Sequence, residues 1–368
     1  MKYSKDRRIV LTLDAGGTNF AFSAMQGFNQ IVEPVVLPAH ADNLKKSFGN
    51  IVSGFNQVMD KLDSRPVAIS FAFPGPADYP NGIIDNVGNL PAYGGGVPLG
   101  PMLENEFDIP VYINNDGDLF VYGEAIAGLL PKVNTMLTKA GSPKQYQTLF
   151  GITLGTGFGA GLVHNGELFT GDNSAATEIW IVRNKVHPET FAEEGASIRA
   201  VRGTYAREAG IKFDAAPEPK DIFEIATGTK RGQKKAAVEA FRELGEVVGD
   251  ALANAMTLID GLVVIGGGLA GAHSVFMPAL IAEMNGTIKK YNGEALPRMV
   301  QKVFNLEDEK QKKAFLAGKT RKVKVPGTSK TIKYDPMKRI GVGISILGTN
   351  KAVWIGAYVF ALHTIDKA

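Results

Sequence analysis

One local pattern occurs twice in this chain, and the repetition sets the fold. Residues 9–13 (IVLTL) form an apolar run, 14–19 (DAGGTN) a glycine-rich turn and 20–25 a second apolar run; residues 149–154, the turn GTGFG and residues 160–164 repeat that order. Each run is short and β-rich, so each copy reads as strand, tight turn, strand. Gly16 and Gly17 allow the positive backbone φ that such a turn can demand. Two copies of one supersecondary unit predict a duplicated α/β fold with one lobe per copy. The length agrees, since 368 residues exceed what one hydrophobic core ordinarily serves.

Around the copies, strands alternate with helices. Residues 31–37 read as a third strand, at an edge because Pro34 lacks an N–H. Leu44, Phe48, Ile51, Phe55 and Met59 recur at helical spacing and predict a helix over 43–62. Residues 67–73 form a strand ended by Pro74-Gly75-Pro76, and 111–113 a short strand that delivers Asn114, Asn115 and Asp116 to its carboxyl end before a helical run to Gly128. Phe241, Leu244, Val248, Leu252, Ala255 and Ile259 line one face of a helix over 234–259. That helix leads to a buried strand at 262–265 and then to Gly266-Gly267-Gly268. A last helix, expected to be amphipathic, spans 351–365. The expected division is a small lobe of residues 1–117 joined by the C-terminal helix 351–368, and a large lobe of residues 118–350.

Composition excludes several classes. No apolar run approaches the roughly 18 residues of a membrane span, and the basic start is followed by too few apolar residues for a secretory signal. A cytoplasmic enzyme without membrane association is expected. The chain has no cysteine, which removes disulfides, thiolate chemistry and cysteine zinc sites. The net charge of +3 is uneven: residues 310–339 hold eleven Lys/Arg against one acid, which leaves the remainder at about −7. No nucleic-acid surface follows from such a body. Within the basic stretch, RKVKV, PGTSK and TIKY predict a β-hairpin around 320–335 with one wet face. It reads first as a solvated surface ribbon or a subunit contact, and otherwise as a site for an acidic partner or for steering an anionic substrate.

Glycine turns after apolar strands expose backbone N–H groups to which a phosphate can come close. Singly, each turn reads as a structural hairpin ahead of a phosphate site. There is no P-loop, and GTGFGAG is followed by a β-rich run rather than the helix a dinucleotide site needs. The order of the motifs says more: Asp14-Ala-Gly-Gly-Thr18, Asn115-Asp116 at a strand end, Gly155-Thr156-Gly157, then Gly266-Gly267-Gly268. In that order, and through LTLDAGGTNF, FAFPGPAD, GNLPAY, INNDGDLFVYGEA, TLGTGFGAGLVHNGELFTG, LANAMTLIDGLVVIGGGL and ILGTNKAVWIGA, the chain resembles the ROK sugar kinases. Residues from about 306 to 339 have no counterpart in that likeness.

The resemblance implies a two-lobed actin-like ATPase fold, a duplicated ribonuclease-H-like architecture with the active-site cleft between the lobes. It implies ATP-dependent phosphorylation of a hexose hydroxyl, the 6-hydroxyl as in the family's glucokinases, with ATP and Mg2+ as cofactors, a small sugar as partner and a homodimeric assembly. It makes Asp116 the general base, which chemistry supports because phosphoryl transfer needs positioning, charge neutralisation and one proton acceptor. Asp14 would help to hold Mg2+ through water; Gly16, Gly17, Thr18, Gly155, Thr156 and Gly157 would meet the phosphates, and Gly267 and Gly268 would border the adenosine. Asn89, Asn115, Asp116, Glu178 and Glu193 would bind the sugar.

The likeness breaks at one place. Glu178 should begin Glu-x-Gly-His, but the residues are Glu-Ile-Trp-Ile, and the cysteine-rich zinc motif beyond it is missing. No structural zinc is expected, His187 reads as a surface histidine, and Trp180 is either a core aromatic or a sugar contact. Two other functions compete. A sugar-responsive repressor would need a DNA-binding domain, for which the residues before Asp14 leave no room. A sugar- or nucleotide-binding pseudokinase would have little use for both Asp14 and Asp116, since unpaired carboxylates are costly.

Overall fold

The computed structural model describes residues 3–75, 77–85, 87–88 and 90–367. The chain forms two compact units: residues 1–128, 166–176 and 347–368 make the first, and residues 129–165 and 177–346 the second. The first unit runs past residue 117 because the helix that begins at Asp116 packs on the C-terminal helix.

The first unit is built on β1 (Val10–Ala15), β2 (Asn19–Gln26), β3 (Val35–Pro38), β4 (Ala68–Ala72) and β5 (Val111–Asn114). β1 and β2 are the antiparallel hairpin read from the sequence, β3 pairs antiparallel with the far edge of β2, and β4 and β5 add parallel strands beside β1. The third strand is shorter than expected: pairing begins at Val35, after Pro34. Helix α1 (Leu44–Met59) starts where the Asn43 side chain accepts the Lys46 N–H at 3.0 Å. It buries Ile51, Phe55 and Val58 on the sheet. Phe22 meets Phe55 edge to face at 5.1 Å, and Phe73 lies 5.1 Å from Tyr93. Such pairs contribute about 0.5–1.5 kcal/mol each beyond area burial.

Helix α2 (Asp116–Ile126) and the C-terminal helix (Thr349–Ile365) touch backbone to backbone. A Cβ at Gly123 would lie 2.0 Å from the Ala352 carbonyl oxygen, and one at Gly356 would lie 2.0 Å from that of Leu119. The C-terminal helix is not amphipathic as expected. It buries Ala352, Ile355, Gly356, Ala357, Tyr358, Val359, Ala361 and Leu362, because α2 covers one side and β1, β4 and β5 the other.

The second unit repeats the plan. β6 (Thr148–Leu154) and β7 (Phe158–His164) form the hairpin, and β8 (Leu262–Gly266), β9 (Lys302–Asn305) and β10 (Arg339–Ile344) are parallel to β6 in the order β7-β6-β8-β10-β9. Helix α3 (Ile198–Ala209) packs on α4 (Lys234–Ile259), which also packs on α5 (His273–Met284). Phe241, Leu244, Val248, Leu252 and Met256 of α4 enter the core with Phe150, Ile152, Val263 and Ile265 of the sheet.

The basic segment forms the hairpin Arg321–Lys324 with Thr331–Tyr334. Both its faces are wet, not one, with Ile332 at 57% exposure. Arg339 stands apart from the other ten bases: it is buried, paired with Asp335, and lies over the Phe315 ring at 5.4 Å. Its charge is neutralised inside the fold.

The helix contact gives a stability test. Gly356→Ala forces a methyl group into the Leu119 carbonyl, an overpacking that costs about 1–3 kcal/mol. Thermal denaturation should show a lower melting temperature; an unchanged one would mean that the two helices separate without cost.

Candidate active site

Parallel strands in register bring their carboxyl ends to one edge. In the first unit Asp14 of β1 stands opposite Ala72 of β4, and Ala72 opposite Asn114 of β5. The segments that leave this row hold the candidate residues, at the edge where parallel sheets place ligand sites. β1 is followed by a turn in which the Gly16 N–H donates to the Asn19 carbonyl at 3.1 Å. Thr18 is exposed there, and its carbonyl accepts the Ala39 N–H at 2.9 Å.

β5 is followed directly by α2. Asn115 is the helix cap: its Oδ1 accepts the Gly117 N–H at 2.8 Å. Asp116 is the first helical residue, and its Oδ1 shares the same N–H at 2.9 Å. Tyr79 orients Asn115, accepting from its Nδ2 at 3.4 Å and donating to the Phe73 carbonyl at 3.1 Å. Sequence reasoning missed Tyr79; no spacing rule links it to Asn115.

The Asp14 and Asp116 side chains open to solvent, yet protein crowds both carboxyls enough to perturb them. Burial raises the pKa of Asp116 above the ordinary aspartate value, against the pull of the Gly117 N–H and its own. Burial also raises that of Asp14, and the negative charge of Asp116 raises it further. Among the described residues no Lys or Arg forms an ion pair with either.

The second unit offers a matching edge. Gly266 of β8 stands opposite Thr153 of β6, so the turn after each strand begins side by side. Gly267 has φ +87°, and a Cβ there would lie 2.3 Å from the Leu154 carbonyl oxygen, so glycine is required. Gly155 and Gly157 close their turn with a 3.0 Å N–H to carbonyl bond, and the Gly155 carbonyl accepts the N–H of Ile198 at the start of α3. Glu193 holds this turn from the side: its Oε2 accepts the Phe158 N–H at 2.9 Å, and its Oε1 accepts from Arg199 at 2.8 Å. Arg199 was not legible as a site residue.

Glu178 lies at the start of a 3-10 turn, Ile179–Ile181, and its carboxylate accepts the indole N–H of Trp180. Trp180 is not a core residue: it is 37% exposed and meets Phe191 edge to face at 5.7 Å. His187 is half-buried and 3.5 Å from Glu243, which Arg207 and Thr204 also engage. Among the described residues no group of three or more His, Cys, Asp or Glu side chains is placed to hold a metal ion. Asn89 lies outside the described residues. Asp14, Gly16, Gly17, Thr18, Asn115 and Asp116 therefore gather at one edge of the first unit, and Gly155, Thr156, Gly157, Gly267, Gly268 and Glu193 at one edge of the second.

The ROK family model matches residues 10–310. The chain belongs to the ROK family. This ROK protein shares with solved ROK structures the two-domain, actin-like α/β fold. It is similar to the crystallised glucokinase of Parabacteroides distasonis, with 55% identity, 99% of both chains covered and a TM-score of 0.92. The N-acetyl-D-glucosamine kinase of Vibrio cholerae is 28% identical over 277 residues, 72% of this chain and 85% of its own. The glucokinase of Thermotoga maritima is 26% identical over 293 residues, 74% of this chain and 85% of its own. Most of the basic segment falls beyond the matched range. No helix among the described residues of this ROK protein is long and apolar enough to cross a membrane.

The Gly267 contact is testable. Gly267→Ala introduces both the 2.3 Å clash and a disfavoured φ, at about 1–3 kcal/mol for the backbone strain alone. Melting temperature should fall; an unchanged one would show that the turn relaxes freely.

Proposed function

We propose that this protein, an ATP-dependent sugar kinase, transfers the γ-phosphoryl group of ATP to the 6-hydroxyl of a hexose, with Asp116 as general base. The observation that carries the reading is the pair Asp14 and Asp116 at one strand edge, both with raised proton affinity and, among the described residues, without an ion pair to Lys or Arg. Such a pair costs stability, and a phosphoryl-transfer site uses both members. The likeness to the Parabacteroides distasonis glucokinase supports glucose as the acceptor.

Asp116 accepts the proton of the attacking hydroxyl as the oxygen bonds to phosphorus and the bond to the ADP oxygen breaks. Its raised pKa strengthens it as a base relative to a free aspartate. The Gly117 N–H holds the carboxylate at the helix start, and Asn115, oriented by Tyr79, donates to a sugar oxygen. Glu178 and Glu193 accept sugar hydroxyls, and Asn89 is a further sugar ligand. Glu193 keeps acceptor capacity for this, because an ionised carboxylate has about four lone-pair sites and two are engaged.

The backbone around Gly16, Gly17 and Thr18 and around Gly155, Thr156 and Gly157 meets phosphate oxygens, and Gly267 and Gly268 border the adenosine. Two mutually repelling carboxylates that form no ion pair among the described residues fit a divalent cation. A bound Mg2+ supplies charge neutralisation at the phosphates and needs only one or two carboxylates. Asp14 would hold it through water.

General-base help is worth roughly 10²–10⁴-fold, so Asp116→Asn should lower sugar-dependent ADP release by that factor while ATP still binds. An undiminished rate in a coupled assay over glucose, mannose and N-acetylglucosamine would remove Asp116 from the mechanism. Phosphorus NMR of the product identifies the acceptor hydroxyl. In the wild type, kcat/KM should be lost as pH falls through the raised pKa, on a limb displaced above the ordinary aspartate value of 3.8.

Stability should move the other way. The folded state binds the Asp116 proton more tightly than the unfolded chain, so ionising Asp116 costs stability as pH rises from 3.8 through the raised value. Asp116→Asn should melt above the wild type at pH 7, and the gap should close in acid. A variant that melts lower at pH 7 would contradict the strain assigned to this carboxylate.

A further inference from the structure

The rebuilt wall beside Glu178 carries an assignment of its own. Among the described residues, the indole N–H of Trp180 is the single side-chain donor to the Glu178 carboxylate. An indole N–H is a donor only, so it cannot exchange roles with a sugar hydroxyl as a histidine or serine can. It occupies one side of Oε2 and leaves Oε1 and the remaining lone pairs to accept hydroxyl groups.

The ring itself is braced. Phe191 meets it at 5.7 Å with planes 89° apart, and the chain on either side is joined by the Ala192 N–H to Val182 carbonyl bond at 2.7 Å. Phe191 stands two residues before Glu193, whose carboxylate holds the Phe158 N–H of the glycine turn. Glu178, Trp180, Phe191 and Glu193 are therefore one connected strip that ends at the phosphate-side turn.

A ring packed at right angles against Phe191 and still exposed over a third of its surface is apolar surface next to an oriented carboxylate. Ile181, 55% exposed beside it, adds apolar surface and no polar side chain. An aromatic face suits the C–H face of a pyranose, and an oriented carboxylate suits its hydroxyls. Pre-organising both reduces the entropy lost on binding.

From these contacts we infer that Trp180 is a specificity-determining residue of the sugar site, its indole N–H orienting Glu178 and its ring supporting the C–H face of a hexopyranose that presents hydroxyls to that carboxylate. This rests on the proposed sugar kinase reading and adds to it a recognition element. Trp180 is a positioning residue for Glu178 and takes no part in proton transfer.

The chain has two tryptophans, Trp180 and Trp354, which gives a direct probe. In a Trp354→Phe background, titration with glucose should change the emission of Trp180 saturably, with a midpoint that follows the KM for glucose. Trp180→Phe keeps a ring against Phe191 and removes the N–H. It should raise the KM for glucose by about 10-fold, as loss of a hydrogen bond to a charged group does, with the KM for ATP unchanged. Trp180→Ala should raise it further.

Emission that ignores every phosphorylated hexose, or a Trp180→Phe enzyme with wild-type KM for glucose, overturns the assignment and leaves the kinase reading intact, because wild-type ADP release with glucose is measured alongside. Absence of both ADP release and an emission change with all hexoses overturns the two readings together.

Discussion

Everything at the candidate site depends on one alignment. Because β1, β4 and β5 run parallel and in register, Asp14, Ala72 and Asn114 fall in a single row, and the chain must leave all three strands at the same edge. The three exits differ: a glycine turn after β1, a Pro-Gly segment after β4, and a helix start after β5. A slip of one residue in β5 would turn every side chain to the opposite face and take Asn115 and Asp116 with it. The close contact of α2 with the C-terminal helix makes such a slip costly, since Gly123 and Gly356 fit only at the present depth.

The second unit solves the same problem with the same parts. Its hairpin and parallel β8 bring Gly155 and Gly267 together, and here the fit is set by a missing side chain, because only glycine lets the turn after β8 lie on the Leu154 backbone. One edge carries the Asp14 and Asp116 carboxylates, and the other carries the glycine turns at Gly155 and Gly267 with Glu193 beside them. That difference is chemical rather than architectural: the duplicated plan fixes where each edge lies, and the residues in the turns decide what it can bind.

Much of this was legible in the sequence for a physical reason. Strand, glycine turn and strand are short-range patterns, and helix α4 announces itself by the apolar spacing from Phe241 to Leu252. The C-terminal helix was misread as amphipathic because burial on several sides erases the periodicity that a one-sided helix displays. The hairpin at 321–334 was given a buried face because alternating residues such as Val323 and Ile332 predict one, but nothing in its own unit covers Ile332. Tyr79 and Arg199 stayed hidden for another reason. They act on Asn115 and Glu193 through tertiary contacts of 36 and six residues' separation, and neither spacing belongs to a helix or strand period.

The stretch after Glu178 is held by its own contacts. A carboxylate keeps one orientation when its donor is fixed by packing, and Trp180 gives Glu178 a donor whose ring packs on Phe191. The Ala192 to Val182 and Asn184 to Thr190 backbone bonds close the segment between them on itself, and Asn184 Oδ1 accepts the Val186 and His187 N–H groups. The loop between Glu178 and Glu193 is therefore held by hydrogen bonds and an aromatic pair. Those contacts are weak individually, at about 1 kcal/mol each, and they hold the loop because they close a short segment whose ends are already fixed by β7 on one side and the start of α3 on the other.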